Sequence, residues 1–184
     1  VQRLRARSAA VLTGSGTALA DDPRLDLRLP GATRQPLRVV LDRRLRLPPS
    51  ARLLAPPGEA LLFAGSDAGP AAAALRAAGA RIEVVAQTGD GLDLAAVLAR
   101  LAALEINELL VESGPRLAGA LLAAGLVDEL VAYVAPVLLG PDARPFARLP
   151  LLAEMAGRLE FDWLDARRVG ADLRLTLAPR PRAA

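Results

Sequence analysis

Four short stretches of this chain carry the residue types that chemistry needs. Glu112-Ser113-Gly114-Pro115-Arg116 follows the apolar run Leu109-Leu110-Val111 and precedes a helical pattern. A glycine turn between a strand end and a helix start suits an anion, because free backbone N–H groups and the helix dipole face the ligand. The functional reading is a nucleotide phosphate on the N–H groups of Gly114 to Leu117, with Glu112 bonding a sugar or base nearby. The blander reading is an acid that only serves the helix N-terminus. Gly14-Ser15-Gly16-Thr17 is a second glycine turn, and Thr17 adds a hydroxyl. It is neither a GxGxxG fingerprint nor a P-loop. Asp21-Asp22-Pro23, with Arg24, Asp26 and Arg28 behind it, offers paired carboxylates for metal binding or acid–base work. Asp22 before proline reads as a turn former. Arg28, on the face opposite Leu25 and Leu27, reads as solvated. Asp42 ends the apolar run Leu37–Leu41.

The elements that must position these residues are legible in the pattern. Strands are expected at Ala9–Thr13, Leu37–Leu41, Ala60–Ala64, Arg81–Ala86, Leu109–Val111 and Glu129–Ala135. Helices are expected at Pro70–Ala78, at Asp93–Leu104 with Asp93 as N-cap, and at Leu117–Ala124. Val1–Arg7 reads as the end of a helix. Strands alternating with helices mean a parallel sheet covered on both faces. Leu159–Arg168 and Ala171–Ala178, joined at Val169-Gly170, predict an antiparallel hairpin at the end. The fold class is therefore α/β: a mostly parallel central sheet flanked by helices, with a C-terminal antiparallel hairpin. Ligands of open α/β sheets gather at the carboxyl ends of strands. Asp42, Glu112 and the Gly14–Thr17 turn all follow strands, so parallel strands would bring them to one edge. One domain over residues 1–178 and a frayed tail over 179–184 are expected.

Composition removes whole classes of function. The 184 residues include no cysteine and no histidine. A thiol nucleophile, a thiolate metal site and a Ser-His-Asp triad are thereby excluded, and no metal is expected. All 23 basic residues are arginine against 20 acids, a net charge of only +3, so most form a mixed solvated surface. Aromatics at 3% leave few platforms for stacking bases, which argues against nucleic acid as a partner. No run approaches a membrane span, and a cytoplasmic protein is the expectation.

At VLTGSGTALADDPRLDLR, LRVVLD, VESGPRLAGALLAAGLVDEL and APVLLG, in that order and spacing, the chain resembles the reductase domain of the bifunctional riboflavin-biosynthesis deaminase/reductase. The likeness runs from Val1 to about Ala178. It implies a dihydrofolate-reductase-like fold, a homodimer, and hydride transfer from NADPH to the ribosyl C1′ of 5-amino-6-(5-phosphoribosylamino)uracil, giving an open ribityl chain. It also implies that Thr17 and Asp21 contact the cofactor, and that Gly114, Pro115, Arg116, Leu117, Ala118, Gly119 and Ala120 cradle its phosphates. Arg5, Leu25, Arg28 and Glu112 are implied to face the substrate. Arg5 and Arg28 are then partners for its phosphate, which overturns the solvated reading of Arg28. Glu112 is the one candidate for polarising the substrate. Members of the family carry a zinc deaminase domain, and a strand and loop, before the point where this chain begins; the chain is expected to be part of a longer protein. Arg43 stands where a small residue is expected on the adenine side. Two other readings compete: a catalytically silent dimerisation module of the same fold, and a Rossmann-like nucleotide-dependent transferase. The terminal hairpin and the missing GxGxxG count against the latter.

Overall fold

In the computed structural model, residues 1–89 and 91–181 are described, and they fall into two compact units, Val1–Leu117 and Ala118–Ala184. The first unit runs α1 (Gln2–Arg7), β1 (Ala10–Gly14), α2 (Ser15–Asp21), β2 (Leu37–Leu41), β3 (Ala60–Ala64), α3 (Pro70–Ala77), β4 (Ala80–Val84), β5 (Gln87–Thr88), β6 (Gly91–Leu92), α4 (Leu94–Ala103) and β7 (Leu109–Val111). Helix α5 (Pro115–Ala123) carries the boundary. The second unit continues with β8 (Leu130–Val134), β9 (Phe161–Val169) and β10 (Asp172–Pro179).

Five strands of the first unit form one sheet in the order β4-β3-β2-β1-β7, every neighbouring pair parallel. The strand residues alternate between two apolar layers, as a pleat requires. Val40, Leu62 and Ala64 pack with Ala72 and Leu75 of α3 and with Leu45, Leu47 and Leu53 of the loop after β2. Val39, Leu61 and Phe63 face the other way, onto Val97 and Leu101 of α4. Helix α4 begins where its sequence says: Asp93 Oδ1 accepts from the Ala96 amide at 3.0 Å.

Two elements differ from the sequence reading. Ser15–Asp21 is a helix and not part of an extended turn. Two glycines in three residues hide it, because glycine disfavours helix interiors; Gly14 instead caps it, and Ala18 buries its inner face. Strand β8 does not join the parallel set. It pairs antiparallel with β10, which pairs antiparallel with β9, so the expected hairpin is two-thirds of a separate three-stranded sheet. The turn at Gly170 has φ 64°, a left-handed conformation that glycine adopts without strain. The ladder reaches Pro179, opposite Phe161, and Arg180 donates its amide to the Glu160 carbonyl at 2.8 Å. Residues 182–184 of the expected tail lie outside the described residues.

Candidate functional site

Strand order decides where a ligand can sit in the first unit. From β1 the chain moves outward through β2, β3 and β4, whereas β7 lies on the other side of β1. The sheet therefore changes direction between β1 and β7, and ligands of open α/β sheets gather outside the carboxyl ends of the strands at such a point. Gly14 ends β1 and Glu112 follows β7, so both predicted turns open onto this switch point. They are also tied together. The Gly114 amide donates to Thr17 Oγ1 at 3.0 Å, joining residues 97 positions apart. A Cβ at Gly114 would lie 3.3 Å from that oxygen, closer than most such contacts, so glycine suits the position.

Beside this latch lies a charge network. Arg5 is only 8% exposed and grips Glu112 with both arms of its fork: Nε to Oε1 at 2.7 Å and Nη2 to Oε2 at 2.8 Å. Its Nη1 donates to the Asp26 carbonyl at 2.8 Å. The hydrogen bond to Glu112 raises the Arg5 guanidinium further above its usual range, against the opposing effect of burial. One arginine thus fixes α1, the loop after α2 and the end of β7. The Asp26 side chain, itself buried, receives Arg24 at 2.8 Å and Arg28 at 3.5 Å. Leu25 is buried with φ 54°, a conformation that costs a branched side chain energy and persists only where its surroundings enforce it. Arg24 and Asp26 carry no strong signal in sequence; the alternation around Leu25 and Leu27 is all that marks them.

The remaining predicted residues divide. Arg28 is exposed, and its weak contact with Asp26 leaves most of its side chain open. Asp21 is exposed at the end of α2, whereas Asp22 closes that helix with φ 38° and accepts the Arg52 amide at 2.9 Å, the turn role expected of it. Asp42 stands at the sheet edge, but its side chain is wholly buried and accepts the Leu47 amide at 2.7 Å, so it shapes a loop. Of the α5 start, Gly114 spends its amide on Thr17 and Pro115 has none. The first N–H groups without an intrahelical acceptor are those of Arg116 and Leu117. Ala118 is half-buried, Ala120 is exposed and Gly119 is buried. A Cβ at Gly119 would fall 2.0 Å from the Arg148 carbonyl oxygen, so its glycine is explained by backbone packing within the second unit.

These residues fit a dinucleotide. The latch holds two glycine turns side by side at a switch point, and a Cβ at Gly16 would meet nothing within 4 Å, so the surface above α2's first turn is open. The donors are neutral amides and arginines, which suit phosphate. Among the described residues no cluster of acids is arranged to hold a metal ion, and no helix is long and apolar enough to cross a membrane.

Comparison with known proteins bears on this geometry. A family model described as the RibD C-terminal domain matches residues 1–175. The riboflavin biosynthesis protein RibD of Escherichia coli is 41% identical over 96% of this chain and 50% of its own length. The 5-amino-6-(5-phosphoribosylamino)uracil reductase of Buchnera aphidicola is 28% identical over 98% of this chain and 91% of its own length. The solved structure of Acinetobacter baumannii RibD superposes with a TM-score of 0.85 at 36% identity, covering 97% of this chain and 49% of that one. The chain thus spans about half the length of the RibD proteins of Escherichia coli and Haemophilus influenzae. With the fold, the motifs and the family model in agreement, this chain belongs to the RibD C-terminal domain family.

Proposed function

We propose that this chain catalyses the pyrimidine-reductase step of riboflavin biosynthesis, reducing 5-amino-6-(5-phosphoribosylamino)uracil to its ribitylamino product with NADPH. The observation that carries this reading is the pairing at the switch point: the Thr17–Gly114 latch beside the Arg5–Glu112 fork. Family membership and the Buchnera relative's activity support it. A bound nicotinamide supplies the hydride, so the protein needs placement and electrostatics more than a nucleophile, in keeping with a chain free of histidine and cysteine.

The roles follow from the chemistry of each group. The turn Gly114–Leu117 lies against the cofactor phosphates, which the open amides of Arg116 and Leu117 receive. Thr17 holds that turn in place, and Asp21 lies on the cofactor side of α2. Glu112, gripped by Arg5, presents an anion to sugar hydroxyls or to a cationic imine nitrogen of the substrate. Arg5 is committed to Glu112 and Asp26, so it acts on the substrate chiefly by fixing Glu112. The substrate phosphate then falls to Arg28, whose guanidinium is open. Leu25 supplies an apolar wall.

Steady-state kinetics following NADPH consumption test the assignment. Glu112→Gln should lower kcat more than tenfold, and Arg28→Ala should raise KM for the phosphorylated substrate about tenfold with little change in NADPH affinity. Absence of saturable NADPH binding at millimolar concentration would instead leave a silent module of the same fold.

The second unit supports a homodimer. Val134, its partner Leu173 and, further along the same face, Trp163 are exposed on the three strands of its sheet, an apolar display that a second copy would cover. Sedimentation should report a dimer for the unmodified chain and a monomer for Trp163→Glu.

A further inference from the structure

Between α2 and β2 the chain forms no regular element, yet its middle is held as a strand would be. Each backbone group from the Asp26 carbonyl to the Arg28 amide bonds to a side chain. The Leu27 amide donates to Gln35 Oε1 at 2.8 Å, and Gln35 Nε2 donates to the Leu27 carbonyl at 2.9 Å. On the other side the Arg28 amide donates to Gln2 Oε1 at 2.7 Å, and the Asp26 carbonyl accepts from Arg5 Nη1 at 2.8 Å. Backbone that is removed from water must find partners somewhere. Here one primary amide, Gln35, exchanges both bonds with one residue, as a facing residue of an antiparallel strand does.

Gln35 is itself fixed. It precedes Pro36, and the residue before a proline is pushed to extended backbone. Its stem lies against Gly58, where an added Cβ would stand 3.0 Å from the Gln35 Cβ; Gly58 also takes φ 97°. The Gly58 carbonyl accepts from Arg38 Nη2 at 2.7 Å, and the Ala55 carbonyl accepts from Arg38 Nη1 at 2.8 Å. Arg38 belongs to β2 and is only 2% exposed. A continuous line of contacts therefore runs from the sheet through Arg38, the loop at Gly58 and Gln35 to Leu27, and ends one residue short of Arg28.

Arg28 is the residue to which the substrate phosphate falls, and its side chain has only the long contact with Asp26 to steady it. Its backbone is therefore what places it. A guanidinium meets phosphate through a planar fork, and a displacement of about 1 Å costs such a pair much of its strength. We infer that Gln35 is a positioning residue for substrate recognition: its two bonds to Leu27 set the place from which Arg28 meets the phosphate. Gln35 acts through Leu27 on Arg28 and not on the reacting atoms. The inference rests on the reductase reading above and deepens it.

Calorimetric titration of the full chain with 5-amino-6-(5-phosphoribosylamino)uracil, with its dephosphorylated riboside and with NADPH tests it without recourse to turnover. Q35E keeps an acceptor for the Leu27 amide but loses the donor and sets a carboxylate against the Leu27 carbonyl. It should weaken the phosphorylated ligand about fivefold and leave the riboside and NADPH within a factor of about two. In an R28A background, which lacks the group being positioned, Q35E should cost less than about a further twofold. Hydrogen exchange on the unmodified chain supplies a reading that does not depend on how Q35E folds. The Leu27 amide should exchange at least about tenfold more slowly than those of Gly31 and Thr33 in the exposed loop beyond. Undiminished binding in Q35E, equal weakening of all three ligands, an undiminished Q35E loss on top of R28A, or Leu27 exchange as fast as that of Gly31 overturns the inference and leaves the reductase reading intact. Normal binding of the phosphorylated ligand by R28A overturns both the inference and the phosphate role of Arg28. Binding of none of the three by the unmodified chain removes the reductase reading and the inference with it.

Discussion

The two units of this chain solve the burial problem in opposite ways. In Val1–Leu117 the parallel strands are closed on both faces: Leu61, Leu62 and Phe63 are each 0% exposed, and α3 and α4 supply the covering layers. In Ala118–Ala184 the antiparallel strand β9 has only Phe161 even partly buried, and Trp163 and Leu164 are 67% and 58% exposed. The predicted chemistry is concentrated in the closed unit, where a core fixes loop ends to within hydrogen-bond tolerance. The open unit displays apolar surface, which suits an interface more than a reaction. A site gains from rigid backing, whereas a surface that awaits a partner keeps its apolar area uncovered.

The sharpest way to break this contrast is a pair of truncations. Leu62→Ala should cost about 2–5 kcal/mol because it leaves a cavity in a closed layer. Leu164→Ala, at an exposed position, should change the stability of the isolated chain by less than about 0.5 kcal/mol. Chemical denaturation of both reads the difference; similar costs would mean that the second unit is as well packed as the first.

Next in size is the fork. Glu112→Gln leaves the buried Arg5 guanidinium without its anion and should destabilise the first unit by about 3 kcal/mol. Hydrogen exchange should show the loss spreading to α1 and the loop at Asp26, the two other segments that Arg5 touches. A loss confined to residues around 112 would show that the fork does not join these segments.

A smaller effect belongs to the open unit. Gly119→Ala drives a Cβ into the Arg148 backbone, so one of the two must shift, at about 1–3 kcal/mol. Amide protection around residue 148 should fall, while that of β2 and β3 is unchanged.

The smallest effect is a pH dependence. Hydrogen bonding from Arg100 holds the Glu83 carboxyl below the usual carboxylate range, outweighing the opposite effect of partial burial. A carboxyl whose pKa is depressed by folding stabilises the fold above its unfolded pKa, and the contribution vanishes as pH falls through the folded value. Acid titration of stability should therefore be slightly shallower in Glu83→Gln than in the unmodified chain, with no difference below the folded pKa.

Much of the fold was legible in the residues themselves. Short apolar runs marked the strands of the parallel sheet, and Asp93 marked its helix start. The glycine turns and Glu112 also announced themselves, because strand end, glycine and helix start are local features. Helix α2 was hidden by its glycines, and the direction of β8 by the identical look of buried parallel and antiparallel runs.

What the sequence determined by itself was an inventory: which segments are strands, which turns carry amides, and which chemistries the missing histidine and cysteine forbid. Local pattern suffices there, since propensity, capping and turn geometry act over a few residues. Only the tertiary structure decided the partners. It took Asp42 out of reach by burying it, committed Arg5 to Glu112 across 107 residues, and spent the Gly114 amide on Thr17. Those outcomes depend on which strand lies beside which, and no local spacing encodes a neighbour brought in from a hundred residues away.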